Sequence, residues 1–420
     1  MQTLAAPAGG SVRRPLVCSH RTNLVRTART ACAAPGGRGA VDADRNPFEY
    51  VRPLRPEDVT GRDALVDRLV GAVRARHIVA VAGPRRFGKT SILGRVAQIA
   101  EQVDAVDVVT VDCFGLASLG EFAVRLETAM SGLRGPARRL ASRLLAPSEL
   151  GLSITPGVGF KVRFGQRDAP DASAVLHALL DTLVAVSEQR GGLLLVLDEF
   201  QDVARVEHLD AVLRTHLQHA REVAVLFAGS RPSLMRALFE DRTRPFYAQA
   251  EIIEVERFDV DTAAGIVEDG FAATGDDAGP GGEIVAHATE GHPQRLMLVA
   301  HLMWELVDPG GAADAEVAGA ALEAAHARTE AEHRATVDGL DRTHRDTLRA
   351  VAGYGSPYAR AAERTLGLAR SSVQGAVGAL TADALLERTS DGAWRVVDPL
   401  LAHWLRATLP PPGGVRTSRR

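Results

Sequence analysis

Only two lysines stand among the 49 basic residues of this chain, and one of them is the seventh residue of the octet Gly83-Pro84-Arg85-Arg86-Phe87-Gly88-Lys89-Thr90. The pattern G-x-x-x-x-G-K-[ST] suits a loop that grips a polyphosphate. The glycines let the backbone curl until successive N–H groups converge on phosphate oxygens. Lys89 supplies a compact charge between the terminal phosphates, and the Thr90 hydroxyl offers a hard oxygen to Mg²⁺. A helix starting here aims its positive end at the same anion.

A second group of residues fits the same chemistry. The aliphatic run Leu193-Leu194-Leu195-Val196-Leu197 leads directly into Asp198-Glu199. Asp198, at the strand's C-terminal end, is placed beside the Mg²⁺ shell, and Glu199 is placed to polarise an attacking water. Adjacent side chains on a regular strand point to opposite faces, so Glu199 shares the site only if the strand ends there. Ser230 closes a later apolar run and has two readings. It hydrogen-bonds the terminal phosphate or the attacking water, or it is a turn or cap serine ahead of Pro232.

The elements that must hold these groups can be read on either side. Residues 77–82 are a short, β-branched run of the kind that forms a buried parallel strand. Residues 91–100 set Ile92, Val96 and Ile99 on one helical face. Strand, glycine loop and helix therefore follow in the order the motif requires. Runs at 106–112, 223–228 and 251–255 add strands, and 174–188 reads as a helix leading to the acidic strand. One helical stretch is expected from about 119 to 145. Period-two alternation at 152–155 and 160–164, around Pro156-Gly157, reads as an inserted β-hairpin. Five strands joined by crossover helices give a three-layer α/β fold with a parallel sheet.

Residues 83–91, with Leu197-Asp198-Glu199-Phe200-Gln201, resemble the archaeal-type ATPase family, which lies close to the AAA+ and signal-transduction (STAND) P-loop ATPases. Other pieces agree in order over residues 46–408. Asn46-Pro47-Phe48 and Gly61-Arg62-Asp63 are similar to the N-terminal adenine-side box. Phe227-Ala228-Gly229-Ser230 is similar to the sensor strand and Gly291-His292-Pro293 to the lid motif. Asp398-Pro399-Leu400 with Trp404-Leu405 is similar to the end of the family's winged helix.

The resemblance implies ATP and Mg²⁺ as cofactors. Nucleotide contacts would come from Gly83, Pro84, Arg85, Arg86, Phe87, Gly88, Lys89, Thr90 and Ser91, and on the base side from Gly61, Arg62 and Pro293. Lys89, Glu199 and Ser230 would be the catalytic group, and Thr90 with Asp198 the metal pair. Pro293 also fits a plain helix start with proline in the first turn, and Arg295 is a further candidate for phosphate contact. Where related ATPases carry Tyr-Gly-Arg, this chain has Tyr247-Ala248-Gln249. Arg242 or Arg244 would then stand in for an arginine acting on a neighbour's nucleotide, and hydrolysis would be slow without one.

In the C-terminal part, helices at 345–352, 360–366 and 370–384 precede two strands flanking the turn dipeptide Asp391-Gly392. Helix-turn-helix followed by a two-stranded wing is a winged helix. Arg370, Ser371, Ser372 and Gln374 open its recognition helix, where contacts to double-stranded DNA would arise. Between Leu340 and Leu409 nine arginines face seven acids, a weak positive balance. A protein client or self-association is therefore the other reading of this unit.

The expected organisation is a disordered basic segment (1–45), a P-loop core (46–256, hairpin insertion at 151–165), a helical lid (257–309), a connecting helix (310–339), the winged helix (340–409) and a disordered tail (410–420). Residues 1–45 hold seven arginines and no acid before Asp42. An organelle transit peptide or a start codon placed too early would share that composition, whereas the apolar stretch after Arg13-Arg14 is too short for an export signal.

Composition sets the outer limits. The chain has 46% apolar residues and a net charge of -3, which argues against bulk polyanion binding as its whole role. Cys18, Cys32 and Cys113 are unpatterned, which points away from a disulfide framework or zinc site and toward a reducing, cytoplasmic interior. No apolar run approaches the about 18 residues of a membrane span. The sequence thus reads as an ATP-binding, ATP-hydrolysing switch whose Mg-ATP state controls a winged helix. The alternatives are a DNA-binding regulator with a structural nucleotide site, and a loader ATPase similar to origin-recognition proteins.

Overall fold

The structure is a computed structural model that describes residues 45–145, 152–155, 159–162, 171–367, 369–389 and 391–408, with backbone alone for 152–155 and 159–162. The expected disorder of the two ends, the hairpin turn Pro156-Gly157, and Cys18 and Cys32 lie outside the described residues.

Helix α1 (Asp63–Arg74) leads into β1 (Ile78–Ala82), and α2 (Lys89–Gln102) into β2 (Asp107–Asp112). After α3 (Leu119–Ser131) and α4 (Gly135–Leu145) come the short strands β3 (Leu152–Thr155) and β4 (Gly159–Val162), which pair antiparallel. Helix α5 (Ala172–Arg190) returns the chain to β5 (Leu193–Asp198). Then α6 (Leu209–Leu217), β6 (Val223–Gly229), α7 (Pro232–Glu240) and β7 (Glu251–Glu254) complete a parallel sheet in the order β2-β5-β6-β1-β7.

Burial along the strands follows from that order. The central strands β5 and β6 are buried at every residue, whereas the edge strands β2 and β7 each carry exposed residues. This is why β5 and β6 are written as unbroken apolar runs. The two-residue period sends Leu193, Leu195 and Leu197 into the core beneath α3–α7 and Leu194 and Val196 into the core beneath α1 and α2. Phe200, Phe227, Phe239 and Phe246 pack together at the C-terminal end of the first core.

Three lid helices follow: α8 (Val260–Ala273), α9 (Gly281–Ala288) and α10 (Pro293–Leu306). The long α11 (Ala315–Asp338) then leads to α12 (Arg342–Tyr354), α13 (Arg360–Leu366), α14 (Arg370–Ala382), the antiparallel pair β8 (Leu386–Arg388) and β9 (Trp394–Val396), and α15 (Pro399–Thr408). Three helices followed by a two-stranded hairpin are the winged-helix arrangement. Aspartates begin several helices by the same chemistry: Asp259, Asp314 and Asp341 each accept a backbone N–H three residues on.

Two expectations change. The stretch 119–145 is two helices rather than one, because Gly132 caps α3 and Gly135, at φ 52°, turns the chain into α4 with Pro136 in its first turn. Helix α14 stops at Ala382, short of Ala384, whose φ of 55° leaves the helical region. Among the described residues no helix is long and apolar enough to cross a membrane.

Candidate functional site

The glycine loop joins β1 to α2, with Gly88 at φ 83° and Arg86 at φ 68°. Only glycine takes the first of these without strain. Gly83 is needed for a different reason: a Cβ there would lie 3.0 Å from the Val255 carbonyl oxygen. Lys89 is buried, and its Nζ donates to the carbonyls of Gly83 (2.8 Å) and Pro84 (2.7 Å). Burial draws its pKa down to about 8, against the opposing pull of Glu199 and Asp198. Phe87 is buried edge-on against His292, 4.9 Å between ring centres, and ties the loop to the lid.

Strand β5 delivers the acids. Asp198 is its last residue, in register with Asp112 at the end of β2. Glu199 follows at φ 51°, so the strand breaks between the two carboxylates as the sequence requires. Thr90 Oγ1 donates to Asp198 Oδ2 at 2.7 Å, and the Glu199 N–H donates to Asp198 Oδ1 at 2.9 Å. Burial raises the Asp198 pKa despite the Thr90 bond. Glu199 moves the other way: burial opposes its ionisation, but hydrogen bonds from Ser230 and Gln201 outweigh it.

Ser230 is one of those two donors. Its hydroxyl donates to Glu199 Oε2 at 2.6 Å, and Gln201 Nε2 donates to the same oxygen at 2.6 Å. Gln201 Oε1 in turn accepts the Ser230 backbone N–H at 3.1 Å. Ser230 does not cap α7 with its side chain; its hydroxyl is engaged by the Glu199 carboxylate. Gly229 makes room, since a Cβ there would lie 2.5 Å from Gln201 Oε1.

Lys89, Thr90, Asp198 and Glu199 line a cavity of about 540 Å³ between sheet and lid, while Ser230 and Gln201 hold Glu199 from outside its wall. One wall is the strap before α1, with Tyr50, Arg52 and Leu54. The far end is closed by Arg62, Phe258, Pro293, Gln294 and Met297. The strap is fastened at both ends. Asn46 Nδ2 donates to the His301 carbonyl (3.0 Å), Phe48 enters the lid core beside Phe271, and the Leu54 N–H donates to Ser91 Oγ (3.0 Å).

The residues expected at the site divide accordingly. Arg85, Arg86, Phe87, Gly88, Lys89, Thr90, Ser91, Asp198, Glu199, Arg62 and Pro293 line the cavity. Gly83 and Pro84 serve it through the carbonyls that hold Lys89. The Ser91 hydroxyl is already engaged by the strap. Arg62 lies 4.0 Å over the Phe258 ring, and burial lowers its pKa to about 10. Gly61 stays off the cavity wall; at φ 67°, a Cβ on it would lie 2.8 Å from Ile266. Arg295 faces away and is paired with Asp398, because helix α10 turns it to the opposite side from Pro293. Arg244 sits 3.6 Å from Asp210, and Arg242 is exposed; neither lines the cavity. Arg370, Ser371, Ser372 and Gln374 are exposed at the start of α14, also outside the cavity.

Sequence reading passed over Asp112, Phe114, Tyr50, Gln294 and the role of Gln201. Only the last had a signal: a glutamine two residues past a catalytic-type acid, in an apolar run, must find partners when buried.

The oxygen pair Thr90–Asp198 suits Mg²⁺, a hard cation that takes few side-chain ligands and draws the rest from phosphate and water. Among the described residues no cluster of three or more His, Cys, Asp or Glu suits a metal held by protein alone.

Sheet order, phosphate loop, acidic strand end, lid and C-terminal wing together define the fold of a P-loop ATPase of the AAA+ kind. Over 86% of its length the chain is similar to the Walker-type ATPase PABY2304 of Pyrococcus abyssi, covering 99% of that chain at 19% identity with a TM-score of 0.63. It is also similar to the ORC2 protein of Aeropyrum pernix in its ADPNP-ADP complexes, over 86% of this chain and 96% of that one, at 15% identity and a TM-score of 0.57. No protein-family model matches the chain, and no curated protein matches it.

Proposed function

We propose that this protein binds Mg-ATP between sheet and lid, hydrolyses it, and uses the cycle to control its winged helix. The observation that carries this reading is the convergence of Lys89, Thr90, Asp198 and Glu199 on one cavity wall. In this reading the loop N–H groups and Lys89 bind the phosphates, with Nζ exchanging the Gly83 and Pro84 carbonyls for phosphate oxygens. Thr90 and Asp198 would hold Mg²⁺, which would supply neutralising charge for the phosphates. Glu199 orients and deprotonates the attacking water, and Ser230 with Gln201 keeps it ionised for that task. Arg62, Phe258, Pro293 and Met297 offer the base an apolar slot with a cation at its edge.

The exposed start of α14 supports double-stranded DNA as the partner of the winged helix, with Arg370, Ser371, Ser372 and Gln374 reaching base edges. A second reading, a loader ATPase, draws support from the likeness to the ORC2 protein of Aeropyrum pernix in its ADPNP-ADP complexes.

Steady-state phosphate release by wild type and Glu199→Gln tests the catalytic part. Turnover lost with ATP binding retained supports it. No turnover by wild type, with or without DNA at high protein concentration, would leave a structural nucleotide site as the better account.

A further inference from the structure

One glutamate joins the phosphate loop to the winged helix. Arg86 of the loop, which lines the cavity, pairs with Glu332 Oε1 on α11. The same Oε1 lies 3.4 Å from Arg295 Nη2 on α10. Arg295 in turn forks onto Asp398, its Nε 3.0 Å from Oδ2 and 3.1 Å from Oδ1 and its Nη2 also on Oδ2. Asp398 opens α15, accepting the backbone N–H groups of Leu400 (3.0 Å) and Leu401 (3.3 Å).

The two halves of this chain differ in strength. The Arg86 and Glu332 side chains are 47% and 44% exposed, whereas Arg295 is 3% and Asp398 18% exposed. An exposed pair contributes little and breaks readily; a buried fork is costly to disturb unless another charge competes for it. Glu332 Oε1 is placed to be that competitor.

We propose that Glu332 is a nucleotide-sensitive latch between the cavity and α15. Phosphate in the loop draws Arg86 away from Glu332. The freed carboxylate then turns wholly to Arg295 and weakens the hold of Arg295 on Asp398. The head of α15 loosens, and with it the seat of the winged helix. By reciprocity, anything that loosens α15 strengthens nucleotide binding. The inference rests on the nucleotide reading above, deepening it to a route of regulation.

The test is amide hydrogen exchange across 398–408 in full-length wild type and Glu332→Gln, with and without ADPNP and Mg²⁺, alongside direct titration of ADPNP. Glu332 is half-exposed, so Glu332→Gln is expected to change stability little, which circular dichroism checks. The latch predicts that ADPNP speeds exchange in the first turn of α15 of wild type but not of the variant. It also predicts that the variant binds ADPNP about two- to fivefold more tightly, the value of one exposed ion pair no longer broken on binding. If both proteins bind ADPNP and respond alike at 398–408, the latch is wrong while the nucleotide site stands. If wild type takes up no ADPNP at all, the nucleotide reading fails and the latch fails with it.

Discussion

At the scale of single residues, Glu199 turns a strand end into a candidate catalytic site. Its left-handed backbone brings a second carboxylate to the wall that Asp198 already occupies. One of its oxygens then accepts from both Ser230 and Gln201. A hydrogen bond to an ionised carboxylate contributes about 1.5–3 kcal/mol. Removing the Gln201 donor by Gln201→Leu is therefore expected to lower kcat about tenfold or more, with KM for ATP nearly unchanged. A change confined to KM would show that Gln201 serves binding rather than the carboxylate. This contact also shows where sequence reading stops. Lys89, Thr90, Asp198 and Glu199 could be named because their chemistry is local and ordered along the chain. The Gln201–Ser230 pair joins two strands and emerges only when β5 and β6 lie side by side.

Elements tell a similar story. The strands could be read from apolar runs; helix α12, in contrast, starts at Arg342, three residues before the expected 345, because the Asp341 carboxylate takes up the His344 N–H. The 119–145 stretch was misjudged because its apolar spacing continues through Gly132 and Gly135, and only the backbone shows the break. The lid entry is the most constrained element boundary. Gly291 sits at φ 65°, and a Cβ there would fall 1.9 Å from the Phe258 carbonyl oxygen. Gly291→Ala is expected to cost about 1–3 kcal/mol through backbone strain and the shift of Phe258. Thermal unfolding would then begin at lower temperature, and ATP affinity would fall because Phe258 and Pro293 both face the cavity. An unchanged melting curve would mean the lid entry is looser than this geometry requires.

Across the whole molecule, the sheet, lid and winged helix meet at a few buried charges. Arg257 donates to Glu387 (2.9 Å) and to the Val397 carbonyl (2.6 Å), fixing the wing to the end of β7. Asp398 is the other anchor. Burial opposes its ionisation, but His333 and Arg295 more than compensate and hold its carboxyl far below the usual range. The groups facing it are Arg295 and His292 from α10 and its cap, and Glu332 and His333 from α11. A carboxylate depressed on folding stabilises fully above its unfolded pKa, near 3.9, and loses that contribution as pH falls below it. Wild type should therefore lose stability steeply in acid. Asp398→Asn should be destabilised by about 3 kcal/mol at pH 7, since it leaves the buried Arg295 with only the half-exposed Glu332 as a counter-charge, and should show a flatter acid limb in denaturant titrations. Equal acid limbs would remove Asp398 from this role. None of these long-range pairs could be read from the chain, because 103 residues separate Arg295 from Asp398 and 130 separate Arg257 from Glu387.

Equilibrium titration of ATP with Mg²⁺ into wild type and Lys89→Ala tests the central claim most directly. Wild type should bind saturably, and the variant, lacking the one cation buried among the loop carbonyls, should bind far more weakly while keeping its fold by circular dichroism. Equal affinity in the two proteins, or no uptake by either, would contradict the assignment of this cavity to a nucleotide.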